Sequence, residues 1–316
     1  AIVFSVFCVF ASFGIGNMSQ ANSIATGLSD SFSIPPIVTG IIIVVFSSLV
    51  ILGGIKRIAS VAEKIVPFMA IFYIIGGLVI IAANITRVPG AFSLIFAEAF
   101  NFRAVGGGVL GYGISRAMRM GIARGVFSNE AGLGSSVMVH SASDVKEPVV
   151  QGMWGIFEVF ADTIVVCTVT ALSIICSGVY NMDVYLANTA NGIENVSGTA
   201  LTSSAFSSMM PFGGQFVAIA IALFAFTTIL GWSYYGERGI EYLFGYKGVV
   251  PYKVIFIAMI LVGCTIPLNL VWDISDTLNG LMAIPNLIAV TFLSGQVIQI
   301  TKDYLNLHSV KATKKK

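Results

Sequence analysis

Three stretches of this chain carry residues that could do chemistry, and in each the chemistry is holding rather than breaking bonds. Phe157-Glu158-Val159-Phe160-Ala161-Asp162-Thr163 sets two carboxyls four apart, on one face of a helix, inside an otherwise apolar run. Phe226-Thr227-Thr228-Ile229-Leu230-Gly231-Trp232 places adjacent hydroxyls mid-run, with Thr228 and Trp232 four apart. Hydroxyls there suit Na⁺, a hard cation that takes oxygen ligands, and a hydroxyl beside a rigid aromatic suits a small zwitterion. The alternative is that each Thr bonds its own helix and Trp232 anchors at an interface. The third stretch, Gly14-Ile15-Gly16-Asn17-Met18-Ser19-Gln20-Ala21-Asn22-Ser23, repeats amides and hydroxyls at i and i+3. Asn17 and Ser23 fit bonding between helices, and Gln20 fits contact with a ligand.

Bond-breaking constellations are missing from the sequence. There is no His-Glu-x-x-His and no Gly-x-Ser-x-Gly, and His140 and His308 lie outside the apolar runs. Cys8, Cys167, Cys176 and Cys264 form no Cys-x-x-Cys pair and read as small buried hydrophobes. A membrane enzyme therefore lacks its parts.

The elements that must position these residues are set by composition. Hydrophobic residues make up 56% of the 316 and charged residues 10%, with mean hydropathy +0.91. Soluble domains carry about 25% charged residues. The chain cannot cover itself with polar surface, so its solvent is lipid and its fold an all-α, polytopic membrane helix bundle. Eight spans are expected, at 1–28, 37–52, 65–84, 104–124, 152–177, 212–235, 254–271 and 277–300, in one transporter-like domain over 1–316. The chain opens at Ala1 inside an apolar run, so it is expected to be a fragment with further spans upstream.

All but two of the 17 Lys and Arg fall in connections on one side; Arg87 and Arg103 are the exceptions. This puts the C-terminus in the cytoplasm and the 178–211 connection outside, with a multi-pass chain in the cell (inner) membrane. The basic tail from Lys302 to Lys316 is expected to lie against anionic headgroups. Asp273 and Asp276 would open the last span at the outer surface, and Pro285 would kink it.

Two further stretches break the apolar pattern. Gly106-Gly107-Gly108-Val109-Leu110-Gly111-Tyr112-Gly113 weakens a helix where it stands. It is either a broken membrane helix whose freed amides and carbonyls face a ligand, around Gly108 and Gly111, or a tight packing face. Arg124-Gly125-Val126-Phe127-Ser128-Asn129-Glu130-Ala131-Gly132-Leu133-Gly134-Ser135-Ser136 is too polar to face lipid. It lies at a membrane surface or inside protein. Arg116, Arg119 and Arg124 are the nearest partners in depth for Glu158 and Asp162. That set, with Glu130, has a structural or gating role, or else the two carboxyls relay protons.

At these residues the sequence resembles the alanine or glycine:cation symporter family. The resemblance is carried by Ala11 to Met18, Ile51-Leu52-Gly53-Gly54-Ile55-Lys56-Arg57-Ile58, Val66 to Ala70, Arg124 to Ser136, Ile229 to Arg238, and Trp272-Asp273 with Asp276 to Asn286. It implies a secondary active symporter of the inverted-repeat (5+5, leucine-transporter-like) type. Such a protein has about eleven spans, of which this chain resembles the last eight. The resemblance implies that Gln20, Thr228 and Trp232 touch the substrate, and Asn17, Gly108 and Gly111 are further candidates read from the residues themselves. The resemblance makes Thr227 and Thr228 ligands of a co-transported Na⁺, with no resident cofactor. Arg124 to Ser136 becomes a cytoplasmic connection with structural or gating duty. The expected partners are a small neutral amino acid (alanine or glycine), Na⁺ or H⁺, and the bilayer, with no nucleic acid. The competing reading is a proton-coupled carrier or channel using Glu158 and Asp162.

Overall fold

The computed structural model describes residues 1–99, 121–181, 184–185, 187–188, 191–193, 195–196, 198–266 and 268–313, with the backbone alone at 98, 268–274 and 308–313. Gly108, Gly111, Arg116 and Arg119 lie outside the described residues. The helices used below are α1 (Ile2–Phe32), α2 (Pro36–Ile51), α3 (Gly54–Ala83), α4 (Val88–Ala99), α5 (121–129), α6 (Pro148–Ser177), α7 (Gly198–Met209), α8 (Gly213–Phe244), α9 (Val249–Thr265) and α10 (Leu268–Thr313). Among the described residues six helices are long and apolar enough to cross a membrane, and no strand occurs.

Helix ends follow local chemistry. α1 closes on Ser33 in the left-handed region, and the following Pro35-Pro36 starts α2, where a proline's missing N–H is one the helix would not use. Several helices overrun the apolar windows read from sequence. α3 starts at Gly54, so Lys56, Arg57 and Lys64 ride on a helix, and Arg57 Nη1 donates to the Leu49 carbonyl at 2.7 Å. α8 continues to Phe244, nine residues past the apolar run. α9 ends at Thr265 and α10 begins at Leu268, so the break falls before the Trp272–Asp276 stretch rather than within it. Polar residues at these ends satisfy their backbone inside the helix, and a hydropathy window misses that.

α1 is the hub. In its most apolar window 56% of residues are buried, against 6% in that of α10. It packs on α8 and α9 through glycines that admit no Cβ. A methyl on Gly16 would lie 2.3 Å from Trp232 Cβ, one on Gly236 2.5 Å from Ser12 Oγ, and one on Gly263 2.5 Å from the Met18 backbone. Ile24, Ile229, Leu230, Phe256 and Ile260 fill the seam. In lipid, apolar burial no longer drives helices together, so close contact and interhelical hydrogen bonds do. Asn17 Nδ2 donates to the Phe256 carbonyl at 2.5 Å and Asn22 Nδ2 to the Ile266 carbonyl at 2.8 Å. The Ser12 and Tyr252 hydroxyls lie 2.9 Å apart. The outer faces of α2, α3 and α10 are studded with exposed Ile, Leu, Val and Phe, as lipid contact requires.

Two helices carry a widened π-turn: Gly14–Met18 in α1 and Phe160–Val166 in α6. Such turns leave backbone carbonyls without their usual donor. Both turns flank a cavity among the helices.

Candidate functional site: a cavity among six helices

A cavity of about 520 Å³ lies among α1, α3, α5, α6, α7 and α8. α1 contributes Ser19, Gln20 and Ser23; α6 contributes Asp162 and Thr170; Thr228 enters from α8. Among the described residues that line the cavity there is one charged side chain, the carboxylate of Asp162, and no basic one. Its field therefore favours a cation or the ammonium of an amino acid.

Gln20 is oriented by the first π-turn. Its Nε2 donates to the Ile15 carbonyl at 3.1 Å, which Ser19 Oγ also reaches at 2.7 Å. With the amide fixed through its nitrogen, the Gln20 side chain carries its carbonyl oxygen at the cavity wall as an acceptor. The hydroxyls are held by their own helices: Ser23 on the Ser19 carbonyl (2.9 Å), Thr228 on Phe224 (2.9 Å) and Thr170 on Val166 (2.8 Å), with Tyr73 Oη 2.8 Å from Thr170 Oγ1. Each bond uses the hydroxyl hydrogen and leaves oxygen lone pairs for a guest.

The structure brings Gln20, Thr228 and Asp162 to one cavity and leaves other sequence candidates elsewhere. Asn17 is fully buried against α9, because the widened turn at Gly14–Met18 rotates it off the face of Gln20 and Ser23. Thr227 donates to its own helix carbonyls and its hydroxyl lies 3.6 Å from Met69 Sδ, away from the cavity lining. Trp232 is 3% exposed, packed under Gly16 and beside Leu133 and Met282, and does not floor the cavity. Glu158 and Asp162, four apart, meet different surroundings. Glu158 reaches His140 Nε2 at 3.4 Å and is well exposed, while Asp162 turns to the cavity.

Of the two places its sequence allows, the stretch Arg124 to Ser136 takes the inner one: it is a strap folded into the bundle and not a surface connection. α5 brings Phe127 and Ser128 to the cavity wall. Asn129 Oδ1 caps the Ala131 amide at 2.9 Å, and Gly132 and Gly134 take positive φ, which their lack of a side chain permits. Leu133 then reaches the core beside Cys8, Ile15, Trp232 and Met282. Glu130 accepts from Ser135 Oγ at 2.7 Å. Asn286 Nδ2 donates to the Gly132 carbonyl at 3.0 Å. Arg124 pairs with Asp276 at 2.5 Å, so these two do not lie at opposite membrane faces, as the charge pattern places them. Asp276 is about two turns inside α10 instead of at its mouth, and the strap rises to meet it. Arg124 is thereby not a partner of the α6 carboxyls.

The pattern of one known family matches this chain over residues 1–316, that described as the sodium:alanine symporter family. The chain belongs to this family. It is 45% identical over 303 residues to the sodium/alanine symporter AgcS of Methanococcus maripaludis, covering 96% of this chain and 64% of that protein. It is 37% identical over 295 residues to the sodium/proton-dependent alanine carrier protein of Bacillus sp. PS3, covering 90% and 65%. It is 38% identical over 296 residues to the probable sodium/glutamine symporter GlnT of Bacillus subtilis, covering 93% and 59%. The chain thus spans less than two thirds of the length of these relatives. As a member of the sodium:alanine symporter family it is a multi-pass membrane protein of a transporter family, not an enzyme.

Proposed function

We propose that this chain forms the larger part of a secondary active symporter that couples inward cation movement to uptake of a small neutral amino acid, alanine or glycine. One observation carries the reading: a cavity among the apolar helices is lined, among the described residues, by an amide, several hydroxyls and one carboxylate, with no basic side chain. Gln20 would accept from the substrate ammonium, and the Thr228 oxygen would serve Na⁺. Coupling follows if ion and substrate bind the same state and each raises the other's affinity. The names of the relatives, sodium/alanine and sodium/proton-dependent alanine carriers, support the substrate and the ion.

The finer architecture belongs to the same reading. A pair of five-helix halves inserted in opposite senses is supported by the family-like motifs from Ala11 to Asn286, and a cytoplasmic C-terminus by the lysines of the tail. The test is reconstitution of the chain within its complete reading frame. Alanine uptake should rise with an inward Na⁺ gradient and vanish when that gradient is collapsed. Uptake that follows a proton gradient and ignores Na⁺ would replace Na⁺ with H⁺, and no amino-acid uptake under either gradient would end the proposal.

A further inference from the structure

We propose that Asp162, Ser128 and Thr163 form a Na⁺ seat on the α5–α6 wall of the cavity, separate from Thr228 on α8. The inference rests on reading the cavity as the transport path, and it adds a second ion position to that path. Ser128 Oγ lies 2.6 Å from Asp162 Oδ2, and Thr163 Oγ1 lies 3.4 Å from the same oxygen. Asn129 Nδ2 donates to Thr163 Oγ1 at 2.9 Å and so fixes where that hydroxyl points. A carboxylate and two hydroxyls therefore converge beside the cavity, and Asp162 and Ser128 both line it.

The charge balance of this cluster asks for a cation. Among the described residues no Lys, Arg or His lies within 4 Å of the Asp162 carboxylate, whose partners are neutral hydroxyls. An intramembrane carboxylate is costly unless a positive charge meets it. The neighbouring hydroxyls can rotate their hydrogens away and turn lone pairs inward, so the three groups become a hard-oxygen ligand set open to the cavity. A proton would need the carboxylate alone, and the convergence of two further oxygens on it favours a metal ion. Asp162 also sits in the π-turn Phe160–Val166, where loosened backbone bonding offers further carbonyl oxygens close by. Because Ser128 belongs to α5 and Asp162 to α6, an ion here would tie the strap to the cavity wall and register its occupancy.

The simplest competing role is a latch, in which Asp162 only receives the Ser128 hydrogen bond. Asp162→Asn separates the two, since its amide oxygen still accepts from Ser128 at nearly unchanged volume while the charge is lost. The experiment measures ²²Na⁺ binding without amino acid, on the purified protein expressed from its complete reading frame. Asp162→Asn should weaken Na⁺ binding at least about tenfold and flatten the slope of the Na⁺ dependence. Ser128→Ala should weaken it severalfold, and Asp162→Glu, which keeps the charge, should retain saturable binding. Thr228→Val should leave an Asp162-dependent component. Wild-type Na⁺ affinity in Asp162→Asn overturns the seat, as does no saturable Na⁺ binding by the wild type. Loss of alanine binding with Na⁺ binding intact also overturns it, since Asp162 then serves the substrate ammonium. A sodium-insensitive infrared band of a protonated Asp162 in the wild type does so as well, since the group is then a proton site. Should Asp162→Asn fail to fold, Asp162→Glu against Ser128→Ala decides, because a latch alone predicts no change in Na⁺ affinity from either. Absence of Na⁺-driven uptake with Asp162-dependent ²²Na⁺ binding preserved would sink the symport reading and leave the seat standing.

Discussion

Lys253 Nζ lies 3.0 Å from Glu237 Oε2, and both residues are more than nine-tenths buried between α8 and α9. Arg238 flanks the pair at 3.7 Å from Glu237, bonds Glu241 at 2.7 Å and lies over the Tyr234 ring. Removing one member of such a pair strands a charge, whereas replacing both with apolar groups does not. Lys253→Met is expected to destabilise the protein by about 3 kcal/mol, the low end of the range for broken buried pairs, because Arg238 remains. The double variant Lys253→Met/Glu237→Leu should recover most of that. Unfolding in denaturing detergent, read by circular dichroism, checks it. A double variant no better than the single would show that the pair is net stabilising.

Gly16 and Trp232 make the tightest contact between α1 and α8 near the cavity. A Cβ on Gly16 would meet the backbone-proximal atoms of Trp232, which cannot swing away, at 2.3 Å. Gly16→Ala is therefore expected to force the helices apart, costing about 1–3 kcal/mol as overpacking does. Gly90→Ala, where a new methyl meets open space, should be neutral or slightly stabilising through helix propensity. The comparison of the two in one thermal-denaturation series isolates packing from propensity. Equal effects would mean that the α1–α8 contact is looser than described.

Glu130 meets α8 from the strap. Its carboxylate takes a hydrogen bond from the fully buried Ser135 hydroxyl and faces the polar edges of Trp232 and Tyr235. Glu130→Ala would leave the Ser135 donor buried without its acceptor, at about 1–3 kcal/mol, and open space beside the Trp232 indole. Glu130→Gln keeps an oxygen for Ser135 and should be milder. The readout is Trp232 emission in a variant in which Trp154 and Trp272 are replaced by Phe. A red shift and faster quenching are expected for Glu130→Ala and little change for Glu130→Gln. Identical spectra in all three would detach Glu130 from the indole.

Much of the architecture was legible because lipid imposes it. A chain with so few charges has to be helical, and the apolar runs mark helices to within a turn or two wherever polar residues do not extend them. Gln20 and Thr228 stood out as polar groups within apolar runs, and both line the cavity, Thr228 while also bonding its own helix. Asn17 bonds between helices, one of the two readings its sequence offered, and it stays off the cavity for a geometric reason. Helical spacing assumes 3.6 residues per turn, and the π-turn at Gly14–Met18 breaks that count between Asn17 and Gln20. The role of the strap was hidden for a different reason. Charge counting treats Arg124 as a surface marker, whereas its partner is Asp276, 152 positions away in the chain. Ser128 carried no signal of its own. The density of Gly, Ser, Asn and Glu around it was the usable clue, since such a segment cannot face lipid and so has to pack or line a cavity.

Gln20 and Thr228 offer the sharpest test of the cavity itself, because they approach it from different helices and differ in what they can hold. Gln20 presents an amide oxygen, suited to an ammonium, and is pinned by the Ile15 carbonyl. Thr228 presents a hydroxyl oxygen whose hydrogen is committed to Phe224, suited to a cation. Gln20→Ala is expected to lower alanine affinity by about tenfold or more, as loss of a hydrogen bond to a charged group does, while the Na⁺ concentration for half-maximal uptake moves much less. Thr228→Val, near-constant in volume, should do the reverse and raise that Na⁺ concentration. Uptake assays over a matrix of alanine and Na⁺ concentrations separate the two. If both variants shift both parameters equally, ion and substrate share one set of ligands, and the division of labour between α1 and α8 is wrong.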